Sequence, residues 1–190
     1  MTHADDAAAE RWIAAHHRGA ARVDVLAFFD RRPAVGPGDL LGRWRGAELP
    51  TGHPFDGLLA AHGWYGKEVL DPDTVHPLLF RGRRRAPRPV RPGPAPLPLL
   101  RRFPVLARGR PARVAFAAAR PLLTARGPGA RLRRIEHRGV VTAAIVYDAL
   151  PVIDVFRRVT PDVLLGLMDM RGVPEPFFFL LTRERAPYRS

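Results

Sequence analysis

The chain has 190 residues and no cysteine. This length suits one domain, or two closely packed halves, with a substantial core, and the lack of cysteine excludes disulfides, thiolate metal sites and thiol nucleophiles. The formal net charge of +13 would ordinarily indicate a polyanionic partner, but residues 81–138 alone carry +16 and the other 132 residues sum to −3, so the charge belongs to one segment.

The first ten residues do not resemble a signal peptide. Asp5, Asp6 and Glu10 lie among them, and the apolar run of a signal peptide is missing. The longest candidate for a membrane span, residues 140–146, is far shorter than the ~20 residues that cross a bilayer as a helix. We therefore expect a cytoplasmic protein with a single compact domain over residues 1–190.

Residues 1–35 are predicted to form helices. Residues 4–17 have a helical composition. Residues 21–29 continue it with large apolar residues at helical spacing, namely Val25, Phe28 and Phe29. We expect this segment to pack on the side of the domain or to cover it as a lid.

Residues 36–80 are predicted to hold a strand, a short helix and a second strand. The first strand carries Gly42-Arg43-Trp44-Arg45-Gly46, and the second carries Gly63-Trp64-Tyr65-Gly66-Lys67. Glycine lets another backbone come close, and an indole favours burial with its N–H paired. We therefore expect Trp44 to close the end of a barrel, with an arginine stacked on its ring. A wall that stacks on a ligand is the alternative role for Trp44.

Residues 81–130 form a connection rich in proline and arginine. Ten prolines between residues 87 and 128 remove backbone hydrogen-bond donors and favour extended or polyproline conformations. We expect a linker or an irregular flap there. Within it, residues 112–123 fit either one more strand or a short helix.

Residues 131–190 predict an antiparallel meander with short, hairpin-like breaks. Strands are expected at residues 131–137, 140–147, 152–159, 163–170 and 177–183. In the last of them both faces are apolar, because Phe177, Phe179 and Leu181 alternate with Phe178 and Leu180. One face must line an interior, and the other must be covered by the N-terminal helices or by a second subunit in a homodimer.

Two histidines, His53 and His76, each precede a proline, which holds the backbone extended. Each therefore sets a ring that titrates near neutral pH on a rigid segment. Each ring could cap local structure, contact the polar end of a ligand or ligate a haem iron. Haem would need an axial histidine in an apolar pocket, and the C-x-x-C-H attachment pattern does not occur.

Three aspartates interrupt or end apolar strands: Asp148, Asp154 and Asp169. A buried carboxylate is costly unless it is paired and hydrogen-bonded. The cationic partners expected for these side chains are Arg45, Arg157 and Lys67. An ion-pair network at a barrel mouth and acid–base chemistry by carboxylates with separated pKa values are the two interpretations.

Several of these strings resemble known families. The strings G-R-W-R-G, T-G-H-P-F-D-G-L-L, G-W-Y-G-K and V-H-P-L-L-F resemble the bacterial family named for its GXWXG signature. The strings Y-D-A-L-P-V-I-D, G-L-M-D and P-F-F-F resemble the uncharacterised domain that usually follows it. The family has no assigned reaction, and its signature is similar to that of lipocalin-like, or calycin, barrels, including haem-binding nitrobindins.

We therefore expect a mainly β fold, an antiparallel lipocalin-like barrel with N-terminal helices packed against it and an irregular Pro/Arg-rich middle segment. Its expected function is to bind a hydrophobic small molecule, such as a phospholipid or a fatty-acid-like lipid, in a cavity. Since Trp64 and Tyr65 alternate faces, one of the two rings should point inward. The structural signature is Gly42, Trp44 and Gly46, and the residues expected at the ligand are His53, Trp64, Tyr65, Lys67, His76, Tyr147, Asp148, Asp154, Phe156 and Met168.

Other functions remain open. Haem is the one alternative cofactor, and no metal is expected. An enzyme of unknown reaction would use Asp148 and Asp154, although no phosphate-loop, G-x-S-x-G or H-E-x-x-H pattern occurs. The basic segment suits contact with an anionic membrane surface. Nucleic acid is the weaker alternative partner, because few aromatic residues stand among the arginines to stack on bases.

Overall fold

The computed structural model describes residues 3–82, 87–91 and 102–185. In chain order the elements are α1 (His3–His16), α2 (Arg22–Asp30), a 3-10 turn (Pro37–Leu40), β1 (Gly42–Leu49), α3 (Leu58–Ala61), β2 (Trp64–Val69), β3 (Val75–Phe80), β4 (Arg88–Pro89), α4 (Pro104–Arg108), α5 (Arg110–Ala119), β5 (Ala130–His137), β6 (Val140–Tyr147), β7 (Val152–Thr160), β8 (Val163–Met170) and β9 (Val173–Arg183).

Eight antiparallel strands close into a barrel. The order around it is β1, β9, β8, β7, β6, β5, β3 and β2, and β2 pairs again with β1. The short strand β4 adds to β3 outside the ring. Among the described residues, β3 pairs with β5 at Val75 and Ala130 alone. The two strands therefore diverge beyond that point, and the wall opens towards the other end of β3.

The two faces of the strands carry separate apolar clusters. In β9, Phe177 and Phe179 lie in the interior cluster together with Trp44, whereas Phe178 lies in an outer cluster with Phe29 of α2. Helices α1 and α2 cover the outer faces of β7, β8 and β9. The predicted alternation in the last strand is therefore confirmed, and the cover comes from the N-terminal helices of the same chain.

One end of the barrel, which we call the closed end, is filled by Trp44. Its side chain is fully buried, and its indole N–H donates to the Leu40 carbonyl oxygen at 2.8 Å. The guanidinium of Arg183 lies 4.2 Å from the centre of the indole ring and also donates to the carbonyl oxygens of Asp39 and Leu41. Trp44 is thus buried where a barrel-closing residue was expected, and the arginine stacked on its ring is Arg183 of the last strand.

The second glycine of the signature makes room for the second tryptophan. A Cβ atom on Gly46 would lie 2.2 Å from the Trp64 ring, so only glycine lets that ring cross β1. On the neighbouring strand, Gly66 has φ of +148°, and a Cβ atom there would lie 1.9 Å from the Trp44 carbonyl oxygen. Trp64 therefore points inward, as one of the pair Trp64 and Tyr65 was expected to do.

The predicted meander is confirmed, with small changes at its ends. The last strand begins at Val173 rather than at residue 177. Gly172 has positive φ and allows a tight turn, so the chain pairs with β8 again directly after it, with Val173 opposite Met170. The expected irregular connection contains more regular structure than its prolines indicate. The two-way prediction for residues 112–123 resolves as the helix α5, and residues 83–86 and 92–101 of that connection lie outside the described residues.

None of the described helices combines the length and the apolar character that a bilayer span requires.

Candidate functional site

The barrel encloses a cavity of about 900 Å³ at the end opposite Trp44, which we call the lid end. Its walls are the inward side chains of β2, β3 and β6–β9. Volumes of this size lie in the upper part of the range for small-molecule sites, and predominantly apolar linings are usual there. The large side chains with which the strands line the cavity are Trp64, Leu78, Phe80, Val152, Met168, Met170, Phe177 and Phe179.

Three helices and their connecting segments form the lid of this cavity. Helix α3 contributes Leu58 and Leu59, and the stretch that carries α4 and α5 contributes further lining residues such as Leu106 and Phe116. Helix α5 is amphipathic, so Phe116 faces the cavity while Val114 faces outward. The lid is thus built from the segment in which the sequence predicts a linker or an irregular flap.

His62 joins two parts of the lid. Its Nε2 atom lies 2.9 Å from the Ala107 carbonyl oxygen and therefore donates to it, which ties the end of α3 to α4. The ring also packs edge-on against Phe116, with the ring centres 4.9 Å apart. The lid helices are thus connected to each other by side-chain contacts over the cavity.

The polar part of the cavity is a cluster of Lys67, Asp154 and Tyr147. The Lys67 ammonium donates to Asp154 Oδ2 at 2.7 Å, to the Tyr147 hydroxyl at 2.9 Å and to the Pro77 carbonyl oxygen at 3.1 Å. The Tyr147 hydroxyl in turn donates to Asp154 Oδ2 at 2.9 Å. All three donors of the ammonium are therefore satisfied, as burial of a charge requires.

Burial governs the titration of this cluster. The Lys67 and Asp154 side chains are each only 2% exposed. Burial lowers the pKa of Lys67, and the Asp154 carboxylate beside it opposes that shift. Burial and the same carboxylate raise the pKa of Tyr147 well above its usual value, so the phenol stays protonated and acts as a donor. Lys67 is one of the three cationic partners expected for the strand aspartates.

Strand geometry brings these residues together. Lys67 lies on β2, directly opposite Trp44 of β1, and Asp154 lies on β7, across the barrel. The ammonium also sits 4.9 Å from the centre of the Phe179 ring and 5.6 Å from that of Trp64. The ion pair therefore lies between the filled closed end and the hollow lid end, where it forms the polar floor of the cavity.

Five of the ten residues predicted at the ligand line this cavity. They are Trp64, Lys67, Tyr147, Asp154 and Met168.

Two more predicted residues lie just behind the wall. His53 packs edge-on against the lining residues Phe55 and Phe177, and its Nδ1 atom accepts from the Phe55 backbone N–H. Burial lowers the pKa of His53, which favours a neutral ring. Phe156 is fully buried in the core beside Phe179. Neither side chain lines the cavity, so His53 would not ligate an iron held in it.

The remaining three predicted residues lie elsewhere. The Tyr65 hydroxyl donates to Glu184 at 2.8 Å, on the outside of the barrel. His76 borders a separate and much smaller hollow beside β4. Asp148 forms ion pairs with Arg131 and Arg91 and does not line the cavity. Asp148 and Asp154 therefore do not face one bound molecule as a pair of carboxylates.

Sequence reasoning missed the lid residues, although two signals could have found them. Pro104 and Pro111 each stand in the first turn of a helix, where the missing N–H costs nothing. Ala112 and Phe116 are four residues apart and share one helix face. Among the described residues, no group of three or more His, Asp and Glu side chains is arranged to hold a metal ion.

Comparisons with known proteins agree with this architecture. Residues 27–84 match the model of the GXWXG protein family, and residues 128–183 match a domain of unknown function, DUF4334. A protein from Thermomonospora curvata with a solved crystal structure is 31% identical, covers 95% of this chain, is itself covered over 99% of its length and superimposes with a TM-score of 0.70. No curated protein matches the chain at a significant level.

Proposed function

We propose that this chain, which belongs to the family whose members carry a GXWXG domain followed by a DUF4334 domain, binds an elongated apolar small molecule of the lipid type inside its barrel. The observation that carries the proposal is the cavity of about 900 Å³, whose lining is overwhelmingly apolar. An apolar cavity releases about 25 cal/mol for each Å² of ligand surface that it removes from water.

The shape of the site supports a ligand with one polar end. The cavity runs from the Lys67, Asp154 and Tyr147 cluster at its floor to Phe116 and the other lid residues at its mouth. Among the described lining side chains, the polar groups are those of the floor cluster, the His62 ring and the indole N–H of Trp64. A molecule with a long apolar body and a small polar group at the inner end would match both features.

A direct test is to extract purified protein with organic solvent and to identify the extract by mass spectrometry. We expect the extract to contain a lipid-type molecule. If the protein is purified empty, we expect it to take up such a molecule in stoichiometric amounts during incubation with a lipid mixture. As a second measurement, the delipidated protein should bind an apolar fluorophore such as N-phenyl-1-naphthylamine. Empty extracts from several expression hosts, together with no fluorophore binding, would overturn the proposal.

A pair of variants checks that the fluorophore enters the cavity. The double variant Leu78→Trp/Met168→Trp fills the cavity from two strands and should weaken fluorophore binding roughly tenfold or more, which corresponds to about 1.4 kcal/mol. The matched control Val23→Trp/Val141→Trp places the same two rings on exposed outer positions and should bind like the wild type. Equal loss in both variants would place the fluorophore outside the barrel.

A further inference from the structure

The floor of the cavity has balanced charge. Among the described lining residues, Lys67 and Asp154 are the formally charged side chains, and they face each other at 2.7 Å. The remaining polar member of the floor, Tyr147, is a neutral phenol that donates to Asp154. The formal charges at the inner end of the cavity therefore sum to zero before any ligand arrives.

Because the floor is buried, its balanced charge limits the charge that a bound ligand can carry. Moving a single charge into a poorly solvated interior costs several kcal/mol even after the protein relaxes, so buried charges persist where they are paired. Lys67 and Asp154 already compensate each other at 2% exposure. A carboxylate brought in by a ligand would add a second negative charge beside Asp154, with Lys67 as the one nearby cation in the described lining.

We propose that the inner end of the cavity recognises an uncharged oxygen function, a hydroxyl or carbonyl group, at the end of an apolar ligand, and that it discriminates against a carboxylate of the same chain length. This inference rests on the proposed function, because it concerns the polar end of the same bound molecule. It replaces the fatty-acid-like ligand expected from the sequence by a neutral one of similar length.

The hydrogen-bonding groups of the floor suit such a ligand. The three donors of Lys67 and the proton of Tyr147 already have partners, so a ligand hydroxyl would donate to a remaining lone pair of Asp154 or Tyr147. A ligand hydroxyl or carbonyl oxygen would accept from Lys67 in place of the Pro77 carbonyl oxygen. Neither group changes the net charge of the floor. A carboxylic acid could preserve neutrality only by carrying a proton, and its ordinary pKa near 4.5 makes that costly at neutral pH.

The experiment compares three ligands with ten carbons each, namely decyl alcohol, methyl octyl ketone and decanoate, as competitors for the bound fluorophore at neutral pH. We expect the alcohol and the ketone to displace it at concentrations about 100-fold lower than decanoate requires, from the two to three pKa units by which the acid must be protonated. Decanoate that competes as well as the alcohol would overturn the inference while leaving the proposed function intact. Failure of all three ligands, with empty extracts, would instead overturn the proposed function.

A substitution that changes the floor charge should change this preference. Asp154→Asn leaves Lys67 without its carboxylate, so decanoate should gain roughly tenfold or more relative to the alcohol. The matched control is Asp148→Asn, because Asp148 pairs with arginines outside the cavity, and its preference should equal that of the wild type. An equal shift in both variants would overturn the inference. The wild-type competition decides it alone if Asp154→Asn does not fold.

The outer face of the lid carries a second, independent pattern. Val114 and Leu122 are exposed on it outside the cavity lining, and Phe103, Val105 and Leu106 are exposed at the rim of the cavity, which they also line. Arg110 and Arg113 are exposed in the same segment, whereas Arg108 and Arg120 are half-buried and donate to the carbonyl oxygens of Asp56 and Arg81. Residues 102–130 contain no acidic residue. Exposed apolar residues interspersed with arginines are the features that let a surface enter the headgroup region of an anionic bilayer.

We also propose that this lid face docks on an anionic lipid bilayer. Vesicles of phosphatidylcholine with phosphatidylglycerol should bind the protein, pure phosphatidylcholine should bind it poorly, and high salt should weaken binding because it screens the arginines. Val114→Asp/Leu122→Asp should reduce binding roughly tenfold or more, because it replaces two exposed apolar side chains with carboxylates that the anionic lipids repel. Both residues are outside the cavity lining, so fluorophore binding should persist.

The matched control for net charge is Val23→Asp/Val141→Asp, with two equally exposed residues away from the lid. It should bind anionic vesicles nearly as well as the wild type. Loss of binding in this control equal to that in the lid variant, or no binding of the wild type to anionic vesicles, would overturn the docking proposal.

Discussion

The two ends of the barrel are built from the same strands but differ in what fills them. At the closed end, Trp44 is fully buried, is hydrogen-bonded to Leu40 and is stacked under Arg183. At the lid end, the strands surround about 900 Å³ of empty space roofed by short helices. Stability is therefore expected to depend on the closed end and binding on the lid end, with the Lys67–Asp154 ion pair at the boundary.

The largest expected effect is at the closed end. Trp44→Ala should lower the free energy of unfolding by about 3–5 kcal/mol, because it removes a large buried ring and leaves a cavity under Arg183. Urea unfolding measures this change. The lid-end comparison is Phe103→Ala, whose half-exposed ring should cost under about 1 kcal/mol. Similar losses for both variants would contradict the division between the two ends.

The boundary ion pair should show strong coupling. Lys67→Met alone should cost about 3 kcal/mol, because it leaves the Asp154 carboxylate buried without its cation. The double variant Lys67→Met/Asp154→Leu should recover most of that loss, since no unpaired charge remains. A double-mutant cycle from unfolding curves gives the coupling. Losses that simply add would show that the pair does not act as a unit.

The contact between Gly46 of β1 and Trp64 of β2 should have a smaller effect on the free energy of unfolding. Gly46→Ala should cost about 1–3 kcal/mol, because the new methyl group overlaps the Trp64 ring at 2.2 Å. The same substitution in a Trp64→Leu background should cost clearly less. Gly38→Ala is the matched control, since a Cβ atom there meets nothing within 4 Å. An unchanged cost in the Trp64→Leu background would refute the proposed role of Gly46.

The smallest expected effect concerns pH and the layer behind the cavity wall. Burial lowers the pKa of His53 in the folded state, so the unfolded chain binds a proton more readily. The stabilising contribution of neutral His53 is therefore present above the unfolded-state pKa, near 6.5, and is lost as the pH falls. His53→Asn keeps a side-chain acceptor for the Phe55 N–H and should flatten the dependence of unfolding free energy on pH.

The exposed residue His17 provides the control for that measurement. His17→Asn changes a solvent-facing ring on the short segment after α1 and should leave the slope of unfolding free energy against pH as it is in the wild type. A steeper slope in His53→Asn than in the wild type would contradict the assigned sign.

The predictability of the site follows the same division between strands and lid. Tyr147 and Met168 lie on strands whose alternation indicates which side chains share a face. Trp64 and Lys67 are three positions apart on β2, and both line the cavity where the register of β2 against β3 shifts, which alternation does not predict. Tyr65 shows the limit of that reasoning, because alternation gives two faces and burial decides which of them is inside. The lid helices were missed because arginine and proline masked a short amphipathic pattern.

The sequence by itself determined the strands of the meander, the plug role of Trp44 and the expectation that Lys67 could pair with a strand aspartate. These follow from local periodicity and from the cost of leaving an indole or a carboxylate unpaired. Only the tertiary structure decided that Arg183 stacks on Trp44, that Lys67 pairs with Asp154, and that α4 and α5 cover the cavity. Those outcomes depend on barrel closure, which brings together residues more than eighty positions apart and is not encoded in any local pattern.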